Sequence, residues 1–159
     1  MKKLSLLAII LIAACTVAMA QPRAIGGRIA YGIGVSYQHG LGEKNMLQVD
    51  LESPSFYYGI QAVATYNWVF PFNSWSGPGS WNWYAGVGGG VGLNWATTCW
   101  IGGAGMIGVE YNFKFPLQLS LDFRPLIGPS IDKNGVGFSL NLLYPTAFGL
   151  SARYKFGGK

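Results

Sequence analysis

The residues that could do chemistry are few in this chain of 159. Nucleophilic catalysis needs a nucleophile beside a base, with an acid to orient the base. The sole histidine is His39, and the nearest serine upstream is Ser36, three residues away. At that spacing on an extended chain they point to opposite faces, so they make no dyad. His39 reads instead as a rim or loop histidine at a strand end, beside Gly40. Asp50, Glu52, Glu110 and Asp122 could work as a paired-acid site. Their spacing does not fix a common depth, and each is more simply the partner of a basic residue. Cys99 is the only cysteine beyond Cys15. Alone it forms neither an internal disulfide nor a cysteine-based zinc site. No phosphate loop, HExxH or calcium-loop pattern occurs. The expectation is no catalytic residue, no metal and no cofactor.

The charged residues share a place in an alternating pattern, clearest from Trp81 to Trp95. Odd positions there are Trp81, Trp83, Ala85, Val87, Gly89, Val91, Leu93 and Trp95. Even positions are Asn82, Tyr84, Gly86, Gly88, Gly90, Gly92 and Asn94. Strand side chains alternate faces, so one face is apolar with tryptophan at both ends and the other is nearly bare. Trp83 and Trp95 lie 12 residues apart. At ~3.3 Å per residue and roughly 40° tilt that is about 30 Å along a barrel axis, close to the apolar band of a membrane barrel.

The pattern recurs. A first strand over about Arg28–His39 sets Ile29, Ile33 and Val35 against Arg28, Ser36 and Gln38, after a lead-in Gln21–Gly27. Further strands run over about Met46–Glu52, Tyr57–Phe70, Trp81–Trp95, Cys99–Phe113, Leu117–Arg124, Val136–Tyr144 and Phe148–Phe156, eight in all. Pro71–Ser80, with Trp75, and Pro125–Gly135 read as loops, and Pro145 and Thr146 as a turn. Arg28, Asp50, Glu52, Glu110, Asp122, Arg124, Arg153 and Lys155 all fall on the glycine side. Tyr58, Trp68, Trp83, Trp95, Tyr111, Phe113, Tyr154 and Phe156 fall on the other, as an aromatic belt.

Half the residues are hydrophobic, only 11% are charged, and there are 24 glycines. A chain this glycine-rich is costly to fold as helices, so all-β is expected. A sheet spanning lipid must close, because hydrocarbon leaves edge N–H and C=O groups unsatisfied. The fold expected is a closed, antiparallel transmembrane β-barrel of eight strands. A soluble lipid-carrying barrel is the rival, but it would place large apolar residues inside and charges outside. In a barrel this narrow the eight charged residues, four acids and four bases, would form an ion-pair network filling the lumen. A polar pore or a carboxylate site is the alternative. The even-numbered glycines of Trp81–Trp95 would clear space for Arg124 and Arg153.

Residues 1–20 read as a cleaved signal: Lys2 and Lys3, an apolar run, then Ala18-Met19-Ala20. A lipoprotein signal ending at Cys15 is the alternative. Without Lys2 and Lys3 the formal charge drops from +5 to +3. The bases are scattered singly, so no nucleic-acid partner is expected. Residues 21–159 would be one barrel domain. One conflict stands in this reading. With the N-terminus inside, Pro125–Gly135 would be a long inner turn and Lys114–Pro116 a very short outer loop. Either the usual asymmetry fails, or the seventh strand belongs to an outer loop and another strand is hidden near the N-terminus.

Tyr84–Gly92, Gly108–Phe113, Pro116–Pro125 and Ser151–Phe156 resemble the small outer-membrane β-barrel proteins of Gram-negative bacteria, of the type of OmpX, OmpW and the OmpA transmembrane barrel. The resemblance covers nearly all of the mature chain. It implies the bacterial outer membrane as location, membrane lipid and the barrel-insertion machinery as partners, and a monomer. The closing strand is similar to that class's insertion signal, but Gly157-Gly158-Lys159 follow Phe156 where an aromatic usually ends the chain. Lipid A deacylase barrels carry a His-x-Ser arrangement near the C-terminus, and no histidine lies there in this chain. The function expected is non-enzymatic, structural or interactive, through exposed loops such as Pro71–Ser80. A narrow channel or conduit for small apolar molecules is the first alternative, and a lipid-modifying enzyme the second.

Overall fold

The computed structural model describes residues 22–30, 32–54, 59–72, 77–94, 98–141 and 147–157. Expectations for the signal segment, Cys15, Tyr58, Trp75, Trp95, Pro145 and Thr146 lie outside the described residues. Ten strands form: β1 (Arg23–Ile29), β2 (Gly32–Gly40), β3 (Asn45–Pro54), β4 (Gly59–Pro71), β5 (Ser80–Asn94), β6 (Cys99–Asn112), β7 (Leu117–Phe123), β8 (Leu126–Asp132), β9 (Gly135–Asn141) and β10 (Phe148–Phe156).

They make an eight-strand closed barrel. Each strand from β1 to β6 pairs antiparallel with the next, and the circuit runs on through β7 and β10 back to β1. β7 and β8 are one wall position. Ile107 pairs with Phe123 and Gly103 with Ile127, so the register against β6 is unbroken across Arg124 and Pro125. β9 beside β8 and β10 beside β7 run in the same direction and share the last position. Between them the register slips. β7 pairs Phe123 with Phe148 and β8 pairs Leu126 with Asn141, so three steps on one side stand against seven on the other. The wall closes at a seam between β1 and β10, from Arg23↔Phe156 to Ile29↔Leu150.

The two faces follow the alternation. Outward residues such as Ile29, Val87 and Leu150 are exposed, and Arg28, Arg124 and Arg153 are each 0% exposed in the lumen. Above and below the charged layer sit two small apolar clusters. One joins Val63, Ala104 and Leu126 with Trp100, the other Met46, Tyr84 and Met106 with Val69.

Four expectations need correction. The lead-in Gln21–Gly27 holds most of β1, and the first strand expected over Arg28–His39 is the end of β1, a chain reversal after Ile29, and β2. The turn escapes a period-two pattern because Ile29 pairs with Ile33, so both arms keep the same parity. The loop expected over Pro125–Gly135 is largely β8 and a two-residue turn at Lys133–Asn134. The seventh strand expected over Val136–Tyr144 is β9 over its described residues 136–141, and it shares one wall position with β10 instead of forming its own. Residues 142–144 lie outside the described residues. The hidden N-terminal strand also resolves the conflict of loop lengths. Lys114–Pro116 now lies at the end of the barrel that holds both strand termini, Arg23 and Phe156, and the β8–β9 turn lies at the far end. The end of β4 at Pro71 and the start of β5 at Ser80 lie at the terminal end too.

Candidate functional site

The site is the filled lumen. Asp50 and Glu52 are two residues apart on β3 and so share its inner face. Arg28 on β1 reaches both ways around the wall. It pairs through Nε with Glu52 Oε1 at 2.5 Å and through Nη1 with Asp122 Oδ2 at 2.5 Å. Arg124, between β7 and β8, pairs through Nη1 with Asp50 Oδ2 at 2.7 Å and through Nη2 with Glu52 Oε2 at 2.6 Å. Glu52 thus joins the two arginines, and five side chains form one connected group. All five are buried. Buried charges are tolerable only when paired and hydrogen-bonded. Every one of these five is paired, but Arg28 Nη2, Arg124 Nε, Asp50 Oδ1 and Asp122 Oδ1 are buried without a hydrogen-bond partner among the described residues.

Register explains the reach of Arg28. It lies opposite Gly34 on β2, and Gly34 lies opposite Glu52 on β3. On the other side Gly149 of β10 lies opposite Asp122 of β7. A Cβ on Gly149 would fall on the guanidinium of Arg28, and one on Gly34 would meet the Leu51 carbonyl oxygen first and then Glu52 Cγ at 2.6 Å. Gly34 serves both the network and the close approach of β2 to β3, and Gly149 makes room for the network. Gly86, Gly88, Gly90 and Gly92 were expected to do so for Arg124 and Arg153, and they do not. Cβ atoms there would first meet β4 instead: Asn67 and the Tyr66 carbonyl, the Ala64 carbonyl, Val63 (with Trp100 of β6 next to it), and Gln61 in turn. Their role is the close approach of β5 to β4 that a tightly curved wall requires.

The other three residues expected in the network have no ion-pair partner among the described residues, because neutral groups come between the charges. Arg153 donates to Ser36 Oγ at 2.9 and 2.7 Å, to Ser120 Oγ at 2.7 Å and to Gln118 Oε1 at 3.4 Å. Glu110 accepts from Asn82 at 2.9 Å, Asn112 at 3.0 Å and Gln118 at 2.8 Å. Gln118 therefore relays between Arg153 and Glu110. Lys155 Nζ donates to the Phe113 carbonyl at 2.9 Å. Sequence reasoning passed over Gln38, Gln48, Gln61 and Tyr84 as partners. Gln61 and Gln48 donate to Glu52 and Asp50, at 2.7 and 2.9 Å, and the Tyr84 hydroxyl lies 3.4 Å from Asp122 Oδ2. The signal that could have found them is their place on the same face as the acids.

His39 Nδ1 lies 3.1 Å from the Tyr37 hydroxyl, and Ser36 is bound to Arg153. The two do not meet. Many of the described aromatic residues of the outer face gather at the terminal end, while Phe123, Phe148 and Phe138 lie farther along the wall. Trp83 stacks on Phe70 with ring centroids 4.3 Å apart, and Trp68 meets Tyr66 edge-on at 5.5 Å. Tyr111 packs with Trp81 and with Phe113, at 4.7 and 4.6 Å, and Tyr154 and Phe156 are exposed nearby.

No protein-family model, no curated protein and no solved structure matches this chain.

Proposed function

We propose that this chain is a non-enzymatic, integral outer-membrane β-barrel protein with a structural or interaction role and a lumen closed by its own side chains. One observation carries the reading: the usual polarity of a soluble protein is inverted. Leucines, isoleucines and valines of nearly every strand are exposed on the outer wall, and three arginines with four carboxylates are buried inside. In water such an outer surface would be a very large apolar patch. In lipid it is the outward apolar face that membrane barrels present, and the aromatic cluster at the terminal end fits an interfacial girdle.

Membrane lipid and the barrel-insertion machinery are the partners this role requires, and the working unit is a monomer. A terminal end that faces the periplasm puts the Lys133–Asn134 turn on the cell surface. It puts the end of β4 at Pro71 and the start of β5 at Ser80 on the periplasmic side. The acids are occupied as acceptors from arginines and amides, which supports a plug over an acid–base centre.

Two measurements test the proposal. Unheated protein from an outer-membrane fraction should migrate faster on a denaturing gel than boiled protein, as a folded barrel does. Recovery in the soluble periplasmic fraction would overturn the membrane reading. In planar bilayers the purified barrel should give no steady conductance, and a steady single-channel current would refute the plug.

A further inference from the structure

At the terminal end the lumen opens into a cup of about 620 Å³, lined among others by Gln38, Asn82, Glu110, Asn112, Lys155 and Arg23. Glu110 and Gln38 are each 5% exposed. An ionised carboxylate can only accept hydrogen bonds. Asn82, Asn112 and Gln118 must therefore turn their NH2 groups to Glu110. The nitrogen and oxygen of an amide lie on opposite sides of its carbon. The carbonyl oxygens of Asn82 and Asn112 are thus turned away from Glu110, in side chains that line the cup.

The same constraint runs outward from Asp50. Gln48 donates to Asp50 Oδ2, so its oxygen is left to accept from Gln38 Nε2 at 2.9 Å. Gln38, which also lines the cup, keeps a free carbonyl oxygen. Among the described residues the side-chain oxygens of Gln38, Asn82 and Asn112 have no hydrogen-bond donor, whereas that of Gln118 is taken by Arg153. The buried acids thus fix the polarity of the mouth: several acceptors around a carboxylate that, among the described residues, has no cation within 4.0 Å, although Lys155 interacts with it electrostatically at longer range.

A primary ammonium carries three donors and no acceptor, and is the complement of such a ring. Calcium is a poor fit, since it takes about six to eight oxygens, commonly from several carboxylates. Lys155 adds a positive charge to the same cup. It disfavours a bare cation and favours a ligand with an anion next to its ammonium.

We propose that the cup binds a small zwitterion with a primary ammonium beside an anionic group. The ammonium sits on Glu110 and the oxygens of Gln38, Asn82 and Asn112, and the anion faces Lys155. The probes are phosphoethanolamine, ethanolamine and inorganic phosphate, titrated calorimetrically into the folded barrel in nonionic detergent. Phosphoethanolamine should bind at least tenfold more tightly than either half. Glu110→Gln should weaken phosphoethanolamine and ethanolamine at least tenfold. Lys155→Met should weaken phosphoethanolamine and leave ethanolamine unchanged or tighter.

Equal binding of all three probes, or none, overturns the proposal. So does unchanged affinity in a Glu110→Gln barrel that still shows the folded gel band. If that variant does not fold, Lys155→Met decides, and retention of full preference for the zwitterion counts against the site. Repeating the titration in phosphatidylethanolamine and in phosphatidylcholine vesicles separates the two sources of the ligand. Competition confined to the former identifies a lipid headgroup, and equal binding in both identifies a free small molecule.

Discussion

Replacing Arg124 by leucine should destabilise the barrel by about 3–5 kcal/mol, the usual cost of leaving buried charges without their partner. Arg124 is fully buried and holds Asp50 and Glu52 at 2.7 and 2.6 Å. After the substitution Glu52 keeps Arg28 and Gln61, but Asp50 keeps only Gln48. The urea midpoint of the folded barrel in detergent micelles is the measurement. Adding Asp50→Leu should recover part of the loss, because a neutral apolar pair in place of a buried ion pair is often close to neutral. A single variant as stable as the parent would show that the ion pairs do not hold the lumen together.

The second large effect should come from one methyl group. Gly149→Ala places a Cβ on the guanidinium of Arg28. The end of a long side chain usually moves aside cheaply, but this one is buried and pinned between Glu52 and Asp122. The cost is overpacking, about 1–3 kcal/mol, plus whatever part of the two ion pairs is lost as Arg28 moves, for a total on the order of 3 kcal/mol or more. Gly27→Ala is the control. It sits on the outer face with nothing within 4 Å of an added Cβ, and should change stability by no more than about 0.5 kcal/mol. Equal midpoints for the two variants would rule out the packing of Arg28 over Gly149.

The inside and outside of the wall were legible in the sequence, because alternation survives nearly everywhere. That same persistence hid the chain's turns. Ile29 and Ile33 pair across the chain reversal with matching parity, so a hairpin looked like one strand. At β8 the opposite error arose: Pro125, Gly128 and Pro129 are loop-like by type, yet Arg124, Leu126 and Gly128 continue the inward row. Proline fits there because the β6–β8 ladder pairs Gly103 with Ile127 and Trp100 with Ser130 but skips the positions between. Which acids meet which arginines could not be read, since it depends on register around a closed wall. Asp50 and Arg124 are 74 residues apart in sequence. Nor does a charge pattern reveal that Gln118 and two serines would stand between Arg153 and any carboxylate.

The seam between β1 and β10 has a consequence for the order of folding. It joins the first described strand to the last, so no part of it can form before the chain is complete and nearly assembled. Arg28, carried on β1, meets Asp122 across that closure, at a separation of 94 residues. Contacts so distant in sequence are late ones, formed after most of the loop entropy has been spent. Interactions made after the rate-limiting step act on unfolding more than on folding. The arginine network is therefore a latch. It governs how long the finished barrel lasts much more than how fast it is built.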